Sequence, residues 1–219
     1  MLSLQPLGDQ AALAHFPDET AALRFAASAR ALGEPWLVDV VQAYTSVAVF
    51  FDLEQVHFAA VADKLHQVAA SNASVPDRGR LHVIPCCYEL QLDLARVADH
   101  TRLTPAEVIR LHSGTEYVVC AIGFCPGFPY LGYLPEALAG VPRLDTPRLR
   151  VEPGSVGLTG RQTGIYTEPR PGGWNLIGRT PLVLVDVRAG YFPLRTGDRV
   201  RFEPIGEADY HRLLGRRLE

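Results

Sequence analysis

Between residues 121 and 181 the chain reads AIGFCPGFPYLGYLPEALAGVPRLDTPRLRVEPGSVGLTGRQTGIYTEPRPGGWNLIGRTP, a run holding 11 of its 19 glycines and 9 of its 17 prolines. Glycine opens backbone dihedrals closed to other residues, and proline fixes φ while removing a donor. So dense a mixture is either a disordered linker or a heavily specified set of turns. The aromatic content decides between them. Phe124, Phe128, Tyr130, Tyr133, Tyr166 and Trp174 all lie inside the run. Rings are costly to leave in water, and disordered segments are poor in them. The segment is folded, and its backbone shape is what the protein uses.

The rest of the chain narrows the class. Its 219 residues suffice for one large domain or two small ones, and 47% apolar with 21% charged residues is ordinary for a globular protein. A net charge of −3 gives no electrostatic case for nucleic acid or an anionic membrane. No apolar run reaches the roughly 20 residues of a membrane span. The start, MLSLQPLGDQ, lacks the basic and apolar regions of a signal peptide, so a cytoplasmic location is expected. Four cysteines, Cys86, Cys87, Cys120 and Cys125, match neither zinc nor redox spacing, and no metal site is expected. Lys64 is the only lysine, so the glycine-rich run holds neither a P-loop nor a Schiff-base lysine.

Hydrophobic periodicity divides the chain. Strands are predicted over Leu2–Leu7 and Ala11–His15, then a helix from about Asp18 to Leu32, then strands over Trp36–Ala43 and Ser46–Phe51. Asp52 and Gln55 have the spacing of a capping box for a second helix that buries Phe58, Val61, Leu65 and Val68. The polar stretch 71–80 ends that helix, and Leu81–Pro85 is a further strand. This ββαββα order with a closing strand predicts a small α+β domain of ferredoxin-like type over residues 1–85. Residues 86–219 open with two short helices, Asp93–His100 and one starting at Thr104, and continue as short strands separated by turns. That is the pattern of a β-barrel or sandwich.

Three submotifs of the glycine-rich run carry the chemistry. GFCPGFPYLGYL forms either a rigid ring-lined wall or a barrel corner packed by its own rings. PGSVGLTGRQTGIY brings Ser155, Thr159, Gln162 and Thr163 together with four glycines. It is either an anion-binding nest or a hairpin whose hydroxyls satisfy its own turns. PGGWNLIGRTP carries Trp174, which could be core, and Arg179, suited to a carboxylate or phosphate. From Arg143 to Arg179 there are six arginines and three acids, a local excess that favours an anionic ligand.

Read together, GFxPGFPYL, PRxRVxxGSVGxxGxQTGIY and PGGWxLIGRTP, with IPCCYE and LTPAEVIRLHSGTEY before them, resemble the B-subunit family of 5-oxoprolinase. That family is also called the KipI family or allophanate hydrolase subunit 1. The resemblance covers residues 84–203 with high specificity, and Pro6–Ala11 more weakly. It implies a cyclophilin-like β-barrel behind a small α/β domain. It also implies two partners, a C component (KipA, or allophanate hydrolase subunit 2) and a LamB/YcsF-like A component. With them, 5-oxoproline is opened to glutamate at the expense of ATP, which is expected to be bound jointly with the partners. Two alternatives stand beside this one: a KipI-type inhibitor docking on a sensor histidine kinase, and a component of an allophanate or urea amide hydrolase.

Opening a lactam breaks amide resonance, which phosphorylation of the amide oxygen assists. The site needs anion donors and a proton-transfer group. On that chemistry Arg148 and Arg179 are the expected anion contacts, and Gln162 and Thr163 hydrogen-bond the amide or phosphoryl group. His112 transfers protons, unless it is simply a histidine at a helix C-terminus. Phe124, Phe128, Tyr130, Ser155, Tyr166 and Trp174 complete the substrate- or nucleotide-binding set.

Overall fold

The computed structural model describes residues 2–70 and 79–218. It divides into two compact units, Met1–Arg78 and Gly79–Glu219. In the first, β1 (Ser3–Pro6) and β2 (Ala11–His15) form a hairpin whose turn has Gly8 at φ +66°, a value an L side chain resists. β3 (Leu37–Ala43) and β4 (Ser46–Phe51) form a second hairpin, and the sheet order is β1-β2-β4-β3, antiparallel throughout. One face of it buries Ala12, Ala14, Val47, Val49 and Phe51 beneath two helices. In α1 (Glu19–Arg30), Asp18 caps the start by accepting the Ala21 N–H at 2.8 Å. In α2 (Phe58–Ala70), Val61, Leu65 and Val68 are buried, as the period of 3.6 requires.

The box expected at Asp52 belongs to a turn instead. Asp52 accepts from the Glu54 N–H and the Gln55 side chain, and the helix starts six residues later, at Phe58. The stretch 71–80 falls outside the described residues except for its last two.

The second unit begins earlier than the order of predicted elements suggests. β5 (Leu81–Cys86), expected to close the first domain, pairs in parallel with β13 (Arg199–Pro204) across six residue pairs. The sheet continues from β13 to β6 (Glu116–Ile122), β7 (Pro129–Gly132), β10 (Gln162–Ile165), β9 (Ser155–Thr159) and β12 (Asn175–Arg179), all antiparallel. β8 (Arg148–Val151) and β11 (Arg170–Gly172) form a separate pair. The helices are α3 (Leu94–Thr101), α4 (Pro105–Ser113) and α5 (Glu207–Leu213). The reciprocal capping box predicted at Thr104 and Glu107 is present.

This is an α+β chain with a mostly antiparallel sheet. The ladders between the named strands leave the path open, with no closed barrel among the described residues. One antiparallel bridge, Cys87 N–H to Arg179 O at 2.8 Å and Arg179 N–H to Cys87 O at 2.9 Å, links the end of β5 to the end of β12.

β9, β10 and β12 are buried on both faces, and that burial positions the site. Val156, Leu158, Ile165 and Ile177 point into the main core with Tyr117, Val119 and Phe202. Trp174 and Leu176 face a second cluster of Cys125, Phe128, Val151 and Tyr166.

Candidate functional site

Glycine lets the rings close onto the sheet. A Cβ added at Gly164 in β10 would stand 2.8 Å from the Pro129 carbonyl oxygen, 3.0 Å from the Phe128 ring and 3.1 Å from Trp174. At Gly172 a Cβ would collide with the Tyr166 hydroxyl. Phe128 then becomes a hub, edge-on to Tyr130 at 5.0 Å, Tyr166 at 5.3 Å, Phe124 at 5.4 Å and Trp174 at 5.5 Å. Each arrangement places a positive ring edge against a negative face.

These five rings line a cavity of about 280 Å³ together with Arg143, Pro147, Pro171, Gly172 and Gly173. All five were predicted as binding residues. Burial raises the phenol pKa of both Tyr130 and Tyr166, and the charge of Arg143 offsets part of that rise in each.

The other predicted residues lie elsewhere. Arg148 is committed: its Nη2 donates to Asp93 Oδ1 at 2.7 Å, while Asp93 Oδ2 accepts the Leu176 N–H, and Arg148 Nη1 is buried without a partner. The pair ties the start of α3 to β8 and β12. Arg179 donates from Nε to the Pro153 carbonyl and lines a second cavity of about 370 Å³ with Thr180, Pro181 and Tyr210. Tyr166 lines both cavities. Ser155 is buried at the start of β9 and Gln162 half-buried at the start of β10, and neither lines either cavity.

The nest reading gives way to the hairpin. β9 and β10 pair residue for residue from Thr159–Gln162 to Val156–Ile165, so their backbone groups are engaged in the ladder, around a turn with Gly160 at φ +55°. Its hydroxyls satisfy carbonyls of the fold: Thr163 Oγ1 donates to Gly157 O at 2.9 Å and Thr159 Oγ1 to Val141 O at 3.2 Å.

His112 is fully buried in α4, stacked on Phe202 at 4.6 Å. Its Nε2 lies 2.9 Å from Thr163 Oγ1 and its Nδ1 2.7 Å from the Tyr88 hydroxyl. Since the Thr163 proton goes to Gly157, Thr163 accepts from His112 Nε2–H, and the Tyr88 hydroxyl donates to Nδ1. Desolvation lowers the imidazole pKa to about 3. The result is a neutral relay inside the core, with both nitrogens engaged and no face open to a substrate. This burial opposes the proton-transfer role expected for His112, and Thr163 shares it.

Sequence reading passed over Arg143, Pro147, Asp93 and Tyr88. Arg143 was visible only as part of the local charge excess. Tyr88 and Thr163 meet His112 across 24 and 51 residues of chain, a convergence no local pattern encodes. Among the described residues no group of three or more His, Cys, Asp and Glu side chains could hold a metal ion, and no helix is long and apolar enough to cross a membrane.

Comparison with known proteins places this geometry. The family model for the carboxyltransferase domain, subdomain C and D, matches residues 2–192. A Bacillus subtilis protein named as the B subunit of 5-oxoprolinase is 38% identical over 230 aligned residues, covering 95% of each chain. Among solved structures, that of TTHA0988 matches with a TM-score of 0.78 at 35% identity, over 90% of this chain but only 40% of its own. The Kluyveromyces lactis urea amidolyase matches with a TM-score of 0.75 over 100% of this chain and 16% of its own; at 17% identity it shares the fold alone.

Proposed function

This chain belongs to the B-subunit family of 5-oxoprolinase, within the carboxyltransferase-domain family whose subdomain C and D region spans residues 2–192, and from that premise we propose that it is the B subunit of an ATP-dependent 5-oxoprolinase. The reaction is the opening of 5-oxo-L-proline to L-glutamate in the cytoplasm. The observation that carries the reading is the 38% identity to the Bacillus subtilis protein of that name, running over 95% of both chains.

An enzyme divided among several chains shares its chemistry among them. The partners in this reading are a KipA-like C component and a LamB/YcsF-like A component. Two features of the chain fit a shared site. The histidine best suited to proton transfer is locked in the core, so the acid or base comes from elsewhere. The ring-lined cavity is also small for a whole nucleotide. Its volume of about 280 Å³ lies at the lower edge of small-molecule pockets, which run from about 300 to 1,000 Å³. The glycine-rich run that forms it holds no lysine-bearing phosphate loop, since Lys64 is the only lysine. ATP in this reading occupies a site that the partners complete.

The test is reconstitution. The purified chain alone is expected to release no glutamate from 5-oxo-L-proline, and addition of the C and A components from the same organism is expected to produce ATP-dependent release. Full activity of the lone chain would overturn the shared site. An assembled complex that leaves 5-oxo-L-proline untouched would overturn the substrate.

A further inference from the structure

The glycine-rich run carries six arginines between residues 143 and 179. Five are occupied. Arg148 pairs with Asp93, Arg150 with Glu152 and Arg170 with Glu168. Arg161 lies over the Tyr133 ring, and Arg179 donates to the Pro153 carbonyl. Arg143 is different: among the described residues its side chain has no hydrogen bond or ion pair, and it is the arginine that lines the ring cavity.

Its backbone is nevertheless held in place. Asn175 Nδ2 donates to the Pro142 carbonyl at 2.9 Å, and the Leu144 N–H donates to the Gly173 carbonyl at 2.7 Å. Asn175 is itself fixed, accepting from Arg96 Nε at 2.9 Å and donating to Leu158 O. An exposed, uncommitted guanidinium on an anchored backbone, beside a cluster of rings, is an anion contact open to an incoming ligand next to an apolar wall.

We infer that this cavity is a binding site for a small cyclic carboxylate, with the ring against Phe128, Tyr166 and Trp174 and the carboxylate on Arg143. The volume of about 280 Å³ accommodates a five- or six-membered ring with one anionic substituent. Identification of that ligand with 5-oxo-L-proline rests on the function proposed above; the preference for a cyclic carboxylate does not. Arg143 is then a specificity residue that separates 5-oxo-L-proline from the same lactam without its carboxylate.

Trp174 reports binding directly. In a Trp36→Phe background of the full chain, where Trp174 is the remaining indole, titrate its fluorescence with 5-oxo-L-proline, cyclopentanecarboxylate and 2-pyrrolidinone. Both carboxylates are expected to give saturable changes, and 2-pyrrolidinone to bind at least about tenfold more weakly, since a charge-assisted hydrogen bond is lost. Arg143→Gln should weaken both carboxylates by a similar factor and leave 2-pyrrolidinone unchanged. A circular dichroism spectrum and unfolding midpoint matching the parent show that the variant is folded, and Arg143→Lys should recover part of the affinity. Carboxylate binding that is absent, or insensitive to Arg143→Gln, overturns the inference. The reconstituted complex separates this from the function itself. Turnover of 5-oxo-L-proline with unchanged KM in Arg143→Gln sinks the cavity assignment and keeps the activity. Arg143-dependent binding of cyclopentanecarboxylate without lactam opening by the complex keeps the cavity and sinks the activity.

Discussion

His112 converts a residue-scale observation into a pH dependence. Its folded-state pKa of about 3 lies below the ordinary 6.5 because burial penalises the imidazolium. Between those values the unfolded chain binds a proton that the native protein does not. Stability from this group is therefore complete above pH 6.5 and is lost as pH falls toward 3, at up to about 1.4 kcal/mol per unit. Urea denaturation at pH 7.5, 6 and 5 should show this decline. His112→Phe should be less stable at pH 7.5, by about 2–4 kcal/mol, because the Tyr88 and Thr163 hydroxyls lose their partner. Its decline below pH 6.5 should be shallower. Equal slopes in the two proteins would mean that the ring already titrates in the native state, and would return it to the list of proton-transfer groups. The sequence pointed to His112 for its chemistry. Its burial follows from Val108, one turn earlier on the same buried face of α4. The partners that neutralise it come from distant segments, which is why a helix-end histidine and a core histidine could not be told apart.

Strands β9, β10 and β12 show what was legible at the scale of elements. The dense glycine and proline of the aromatic run point to a specified backbone, and five of its six rings converge on one cavity. The register that brings them together is not encoded locally, because Phe128 and Trp174 meet only across β7, β10, β9 and β12. Arg143 was illegible for a related reason: its freedom depends on where the acids near the other arginines end up. Two glycines of the same hairpin give contrasting predictions. Gly164→Ala forces a Cβ against the Pro129 carbonyl and the Phe128 and Trp174 rings, and should cost about 1–3 kcal/mol. It should also alter the near-ultraviolet circular dichroism of the ring cluster. Gly160→Ala meets no atom within 4 Å and is opposed only by its φ of +55°, so about 1 kcal/mol with an unchanged aromatic spectrum is expected. A spectrum unchanged in both variants would show that the rings do not depend on the glycine floor of β10.

At the scale of the whole molecule, the boundary near residue 86 expected from the element order and the division between compact units do not coincide. The ββαββα pattern followed by one more strand reads as a completed α+β domain ending at Pro85. That strand instead pairs with β13, contributed from Arg199–Pro204, more than a hundred residues away. Parallel pairing across such a separation leaves no local signature, because each strand alone shows only alternation. The consequence can be measured on fragments. Residues 79–219 keep all six β5–β13 pairs and bury Ile84 and Cys86 against Val200 and Phe202. Residues 87–219 leave β13 as an exposed edge and remove both of those side chains from the core, a loss of about 4–7 kcal/mol by large-to-small deletions of this kind. Marginal stability of about 5–15 kcal/mol for a domain leaves little after that. The longer fragment should unfold in one cooperative urea transition, and the shorter should show a broad, low-midpoint transition or none. Equal cooperativity in the two fragments would place the structural boundary after β5, where the order of predicted elements put it, and would make the parallel pair dispensable to the unit that carries the ring cavity.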